Sequence, residues 1–180
     1  MIFSFSFNLF IISNKLEVDD VSLSSRALER GLRALGTLGS GNHFMELQSV
    51  EKLVDEETSK QWGLYEGQLL AMIHSGSRGL GHQVCSEHSR KFEQKYRRTS
   101  DGWYAEEYDF TLSDRQLACA PIHSKEGQQY LQEMNAAANF AFANRSALAH
   151  RLREVLKLEM GIDGEARTLY DVAHNIAKIE

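Results

Sequence analysis

The spacing of apolar residues along the chain predicts helices alternating with short strands. Ser24 or Ser25 can cap the first helix, which the glycine at position 36 would end. Apolar residues three and four positions apart predict its buried face, which carries Leu28, Leu32 and Leu35. The first predicted element is therefore an amphipathic helix that leads directly into a glycine-rich stretch.

Longer periodic segments follow. Apolar runs predict strands at residues 44–48, 68–73 and 168–173, and helical spacing predicts helices at residues 50–62, 83–98 and about 126–158. Alanines at positions 136–138, 141 and 143 would let the last helix pack closely against its neighbours. The elements predict an α+β (α/β mixed) fold, in which a mixed sheet carries the long alanine-rich helix across it.

The first twelve residues differ in character from the rest of the chain. Phenylalanines at positions 3, 5 and 7 alternate with polar residues, which is the period of a strand. The segment is too short to span a bilayer, and it lacks the basic region and cleavage site of a signal peptide. We expect an edge strand or a wrongly started reading frame here.

Composition indicates one soluble globular domain. The chain has 180 residues, of which 42% are hydrophobic and 25% are charged. Its formal net charge of −5 gives no overall attraction to nucleic acid, so RNA binding would need a local basic patch. Cys85 and Cys119 are too few for a disulfide framework, and each is expected to be a small buried residue in a reducing, cytoplasmic compartment.

One basic surface is predicted on the helix at residues 83–98. Its cationic side carries Arg90, Lys91, Lys95, Arg97 and Arg98. Such a side is usually only solvated, and contact with an RNA backbone is the alternative.

Two glycine-rich stretches carry the chemistry. Residues 35–46 read LGTLGSGNHFME, and residues 74–81 read HSGSRGLG after an apolar run. Glycine permits positive φ and lets backbone amides approach an anion, so either stretch could hold a phosphate. Each could equally be a simple turn between two elements.

Three histidines lie next to predicted strands. His43 precedes one strand, and His74 and His174 follow two others. Strand ends are where a rigid scaffold presents reactive groups, and imidazole suits manganese, zinc, iron or nickel. The residues alone leave open a second interpretation, in which each histidine is an ordinary packing or surface residue.

Four long motifs occur in order: LGTLGSGNHFMELQ, MIHSGSRGLGHQV, NAAANFAFANR and YDVAHNIAK. Together they resemble the RtcB family of RNA ligases. The resemblance covers roughly residues 22–178, which predicts a partial catalytic domain at residues 22–180 with an RtcB-like fold and an unmatched segment at residues 1–21. The family's usual chain is more than twice as long.

The resemblance implies a site with two Mn²⁺ ions and GTP. His43 matches a ligand of one ion, and His74 and His174 match ligands of the other. Arg78 matches a position that holds the RNA phosphate. The matching nucleotide-binding positions are Asn42, His43, Phe44, Met45, Glu46, His174 and Asn175. Asn139, Asn144 and Arg145 within the long helix could bond nearby loops, and the resemblance hints that they lie near the site.

The implied activity is the joining of RNA 3′-phosphate or 2′,3′-cyclic phosphate ends to 5′-hydroxyl ends, in tRNA splicing or RNA repair. The partners would be RNA ends and GTP, with no membrane. In the family a histidine forms a covalent guanylate and a cysteine bridges the two metal ions, but neither residue has a counterpart here. We therefore expect no catalytic nucleophile in this chain and no ligation by it alone, and the remainder of the ligase could be separately encoded.

Two other functions remain open from the sequence. The chain could be a non-catalytic remnant that binds a metal ion or a nucleotide weakly. It could also be a metal-dependent phosphoesterase that uses the same three histidines.

Overall fold

The computed structural model describes residues 2–5, 16–18, 21–161 and 166–177, the first of these ranges by its backbone alone. Two antiparallel sheets and four helices make up this part of the chain, which confirms the α+β class. The strands are β1 Ile2–Phe5, β2 Phe44–Ser49, β3 Leu69–His74, β4 Tyr96–Thr99, β5 Gly102–Ala105, β6 Phe110–Leu112 and β7 Ala166–Tyr170. The helices are α1 Ser25–Leu32, α2 Glu56–Trp62, α3 Arg78–Glu93 and α4 Lys125–Met160.

The larger sheet has the strand order β2-β3-β1-β7. Every pairing among its described strands is antiparallel, so the expectation of a mixed sheet is wrong in strand direction. Residues 2–5 of the alternating segment form strand β1, and residues 6–12 of that prediction lie outside the described residues. Strand β1 lies between β3 and β7 rather than at an edge. Pairing partners from distant parts of the chain decide that position, and a local period cannot reveal them.

Helix α1 begins where the sequence predicts, because Ser24 Oγ accepts a hydrogen bond from the backbone N–H of Ala27. Its buried face is not the predicted one. Ala27 and Gly31 are buried, whereas the three leucines of the predicted face are exposed. The helix packs so tightly on α3 that a Cβ at residue 31 would lie 2.7 Å from Leu80 Cδ1. Small residues allow this approach, and leucines would prevent it.

Helix α3 ends at Glu93, and a small second sheet with the order β4-β5-β6 follows. Arg97 and Arg98 therefore lie on β4 and do not continue the basic side of a helix, which corrects the prediction for residues 83–98. Aromatic residues stabilise this sheet through their cationic neighbours, since the Arg97 guanidinium lies 5.4 Å from the centre of the Tyr104 ring.

The long helix α4 forms as predicted. Ser124 caps it, and Gly161 ends it in the left-handed conformation at φ +61°. One hydrophobic cluster joins α4 to the larger sheet and contains Ala71, Ile73, Leu148, Ala149 and Ala166. A second cluster joins α4 to α1 and α3 and contains Ala27, Leu80, Val84 and Ala137. Helix α4 thus supports both the sheet and the other two helices.

Two further sequence expectations concern cysteines and membranes. Cys85 and Cys119 are free thiols, and both are exposed rather than buried. Across the described ranges we find no helix with the length and apolar character needed to cross a bilayer.

Candidate functional site

The three predicted histidines meet at one end of the larger sheet. The antiparallel register places Phe44 opposite His74, so His43, which directly precedes β2, lies beside the end of β3. The ring centres of His43 and His74 are 5.9 Å apart. Those of His74 and His174 are 5.2 Å apart. Residues from three distant parts of the chain therefore form one imidazole cluster, as the sequence predicts.

The cluster opens into a cavity of about 840 Å³ between the sheet and helices α3 and α4. Asn42, Phe44 and Asn175 line it next to the histidines. Arg30, Arg78 and Arg145 also line it, and no carboxylate does so among the described residues. The chain is acidic overall, but arginines are the charged residues that line this cavity in the described structure.

Glycines shape the first loop because two side chains approach it closely. Gly39 has a φ of +107°, and a Cβ there would overlap both the Arg78 guanidinium and the His43 ring. Arg78 itself has a positive φ of 52° at the first position of α3. Its Nε donates a hydrogen bond of 3.4 Å to Thr37 Oγ1. The two glycine-rich stretches are therefore in direct contact, with Arg78 and His43 packed over Gly39.

The surroundings of His43 favour its neutral form. Burial lowers the pKa of this imidazole below its ordinary value of 6.5, and the nearby Arg78 and His74 lower the pKa further. The backbone of Leu38 acts in the opposite direction and raises the pKa, but no hydrogen bond of ordinary geometry reaches the buried His43 Nδ1 among the described residues. A neutral ring with a buried, unpaired nitrogen is suited to bind a cation.

The ring spacing can be compared with the resemblance, which assigns His74 and His174 to one ion and His43 to another. Two imidazoles on one ion, with metal–nitrogen bonds of about 2.1 Å, have ring centres about 5 Å apart. The pair His74 and His174 matches this spacing, and His43 lies farther from His74. Among the residues described, no three His, Cys, Asp or Glu side chains are arranged to hold one ion. Each ion would need further ligands.

Only some of the other predicted site residues line the cavity. Asn42, Phe44, Arg78 and Asn175 line the cavity, and the Phe44 ring meets the His74 ring edge-on at 5.4 Å. The structure does not place the next two residues of β2 on the cavity wall. Met45 packs against the core under the sheet. The exposed Glu46 accepts a hydrogen bond of 2.6 Å from Gln48 Nε2.

Two residues that sequence reasoning missed connect the loops of the site. Ser75 Oγ donates a hydrogen bond of 2.8 Å to the carbonyl of Leu38, which joins the two glycine-rich loops. Asp171 accepts a hydrogen bond of 2.6 Å from Arg145 Nε. The available signal was a carboxylate inside the apolar run predicted at residues 168–173, because a carboxylate that is partly buried needs a partner.

Comparison with known proteins supports the sequence resemblance. A family model described as "tRNA-splicing ligase RtcB" matches residues 10–180, so the match begins before residue 22. The protein named tRNA-splicing ligase RtcB from Methanococcus maripaludis is 48% identical over 168 residues, which are 91% of this chain and 33% of that protein. The RNA-splicing ligase RtcB of Mycobacterium tuberculosis is 48% identical over 162 residues, 90% of this chain and 35% of that protein. The chain therefore spans about a third of the length of these relatives.

Proposed function

Because the chain belongs to the RtcB family of tRNA-splicing ligases, we propose that it forms part of an RNA ligase dependent on GTP and Mn²⁺. The reaction would join an RNA 3′-phosphate or 2′,3′-cyclic phosphate to a 5′-hydroxyl, in tRNA halves or broken RNA. One observation carries the proposal: the imidazoles at positions 43, 74 and 174 meet at one cavity that arginines line and that, among the described residues, no carboxylate lines. Such a cavity suits a polyanionic substrate.

In this proposal the histidines bind two ions separately. His74 and His174 would hold one ion, because their spacing suits a shared metal, and His43 would hold the other through its unpaired Nδ1. Divalent ions at these positions would neutralise and align phosphate oxygens. The lowered pKa of His43 favours the deprotonated ring that a metal requires.

The remaining cavity residues would bind the nucleotide and the RNA end. Asn42 and Asn175 can offer amide groups to phosphate or ribose, and Phe44 presents an apolar ring beside His74. Arg78 offers a planar guanidinium, which suits bidentate binding of phosphate. Its hydrogen bond with Thr37, and its place in the space that a Cβ at residue 39 would fill, would fix the direction of that charge.

Further groups are needed for the whole reaction. The resemblance assigns a bridging cysteine and a guanylated histidine to the family, and no residue of this sequence matches either. We propose that these groups lie outside the 180 residues and that the 180-residue polypeptide does not ligate RNA by itself. Covalent GMP on the purified polypeptide after incubation with GTP and Mn²⁺ would contradict this part of the proposal.

Calorimetric titration of the full chain with Mn²⁺ tests the site. We expect binding by the unmodified chain and a loss of at least about tenfold in affinity for His74→Ala, because one ligand of the pair is gone. His150→Ala is the matched control, since this histidine on α4 is 73% exposed and contacts only Glu154 among the described ion pairs. Equal Mn²⁺ affinity of His74→Ala and the control would overturn the proposed metal site.

A further inference from the structure

We propose that Asn144 and Arg145, adjacent residues of α4, are positioning residues that hold the three histidine-bearing segments in register. Asn144 would set the position of His43 relative to His74, and Arg145 would set that of His74 relative to His174. The functional meaning rests on the proposed metal site, but the positioning itself is a property of the fold and can be tested without metal.

Asn144 joins the two glycine-rich loops through its amide. Its Oδ1 accepts hydrogen bonds from the backbone N–H groups of Gly36 at 2.6 Å and Thr37 at 3.1 Å. Its Nδ2 lies 3.1 Å from the Thr37 carbonyl, 3.2 Å from Ser75 Oγ and 3.2 Å from the Gly76 carbonyl. The residue has no exposed surface. One buried side chain therefore bonds both the loop before His43 and the loop after His74.

Arg145 connects the second loop to the segment that carries His174. Its Nη1 donates to the Ser75 carbonyl at 3.2 Å, and its Nε donates to Asp171 Oδ1 at 2.6 Å. The guanidinium is almost fully buried and lies 4.7 Å from the centre of the Phe142 ring. This geometry fixes Asp171, three residues before His174, against the residue that follows His74.

Helix α4 is well suited to carry the two residues that hold the loops. The loops themselves contain glycines and have few side chains that could hold them, whereas a long helix packed against the sheet is rigid. A direct bond from Ser75 to Leu38 also joins the first two loops. Substitution of Asn144 should therefore loosen the first two loops without separating the strands below them.

The same helix offers matched controls. Asn139 uses its amide in the same way but bonds the backbone N–H and carbonyl of Leu16, away from both glycine-rich loops. Arg153 donates to the Ala166 carbonyl and to Thr168 Oγ1, which lie within β7 rather than beyond its end. Asn139→Ala and Arg153→Ala remove comparable hydrogen bonds without touching the segments that carry the histidines.

The test measures ring-to-ring proton contacts by NMR in the full chain with labelled histidines and no metal. We expect Asn144→Ala to weaken the contact between His43 and His74 and to keep that between His74 and His174. Arg145→Ala should do the reverse, and both controls should keep both contacts even where they lower the melting temperature equally. If both contacts survive in the two site variants, or are lost equally in the controls, the positioning proposal is wrong.

Mn²⁺ titration of the same variants supplies the functional readout. At equal folded fraction we expect the two site variants to bind Mn²⁺ about tenfold or more weakly, and the controls to bind as the unmodified chain does. If the unmodified chain shows both ring contacts but binds no Mn²⁺, the proposed function fails at its metal site. The positioning proposal is then decided by the ring contacts alone.

Discussion

Gly39 lies directly against Arg78, so that no Cβ could be accommodated at residue 39 with the guanidinium in its present place. The same Cβ would also overlap the His43 ring. The backbone at Gly39 has a φ of +107°, a conformation that other residues rarely adopt. The contact makes this glycine a determinant of how Arg78 and His43 are oriented.

We expect Gly39→Ala to lower stability by about 1–3 kcal/mol through backbone strain and also to displace Arg78 and His43. Gly41→Ala is the matched control, because Gly41 has a φ of +75° and open space where a Cβ would lie. Thermal unfolding should show a lower melting temperature for both variants, whereas Mn²⁺ affinity should fall only in Gly39→Ala. Unchanged Mn²⁺ binding by Gly39→Ala would show that the contact does not matter to the site.

Arg78→Gln should raise the pKa of His43 toward 6.5, because the guanidinium is one cause of its lowering. Burial, the largest cause, remains, so the rise should be partial. With a lowered pKa, the stability contribution of this ring is present above about pH 6.5 and is lost as the pH falls through the folded value. The variant should therefore lose less stability under mildly acidic conditions. NMR titration of His43 measures the shift, and an unchanged midpoint would contradict the prediction.

Arg145→Ala should cost about 3–5 kcal/mol near neutral pH, because it removes the buried guanidinium that forms an ion pair with the half-buried Asp171 carboxylate. Burial raises the pKa of Asp171 and Arg145 opposes that rise, so the pKa should rise further in the variant. A carboxyl with a raised folded pKa stabilises the fold below its unfolded pKa and loses that contribution as the pH rises. The loss of stability caused by Arg145→Ala should therefore increase as the pH rises.

Denaturant unfolding of Arg145→Ala between pH 4 and pH 8 measures this dependence. The double variant Arg145→Ala with Asp171→Asn serves as the control, since it removes the titrating group as well as its partner. We expect the double variant to show less pH dependence than the single variant. Equal pH dependence in the two proteins would indicate that Asp171 is not responsible.

The exposed side of α1 and the α3 residue that packs beneath α1 should respond differently to substitution. Leu32 is 82% exposed, so Leu32→Ser should change the free energy of unfolding by no more than about 0.5 kcal/mol. Leu80 packs beneath α1 in the core, and Leu80→Ala should cost about 2–5 kcal/mol. Chemical denaturation of both variants tests the observed packing. A large loss for Leu32→Ser would instead support the face expected from periodicity.

Local chemistry explains which parts of the fold could be predicted. The Ser24 cap and the extent of α4 depend on neighbouring residues, and both agree with the sequence. The approach of His74 and His174 could be expected because strand ends present side chains at one edge of a sheet. The four long motifs identified which histidines should meet there.

The remainder depends on contacts between distant residues. The buried face of α1 follows from how closely Leu80 approaches Gly31, which no helical period encodes. The chain leaves α3 at Glu93 because Tyr96 finds a pairing partner in Ala105 of β5. Met45 faces the core while Phe44 lines the cavity. Residues 42–46 are continuous in sequence, but alternation along the strand sends some of them to the core and others to the site.

The central position of β1 has a consequence for the order of events during synthesis. This strand separates β3, which ends at His74, from β7, which leads toward His174. Neighbouring strands lie about 4.8 Å apart, so β1 sets the gap across the middle of the sheet. Its second partner, residues 166–170, emerges from the ribosome long after β1 itself. The nascent chain must hold an incomplete sheet until then, and the imidazole cluster cannot be complete before β7 and residue 174 have been synthesised.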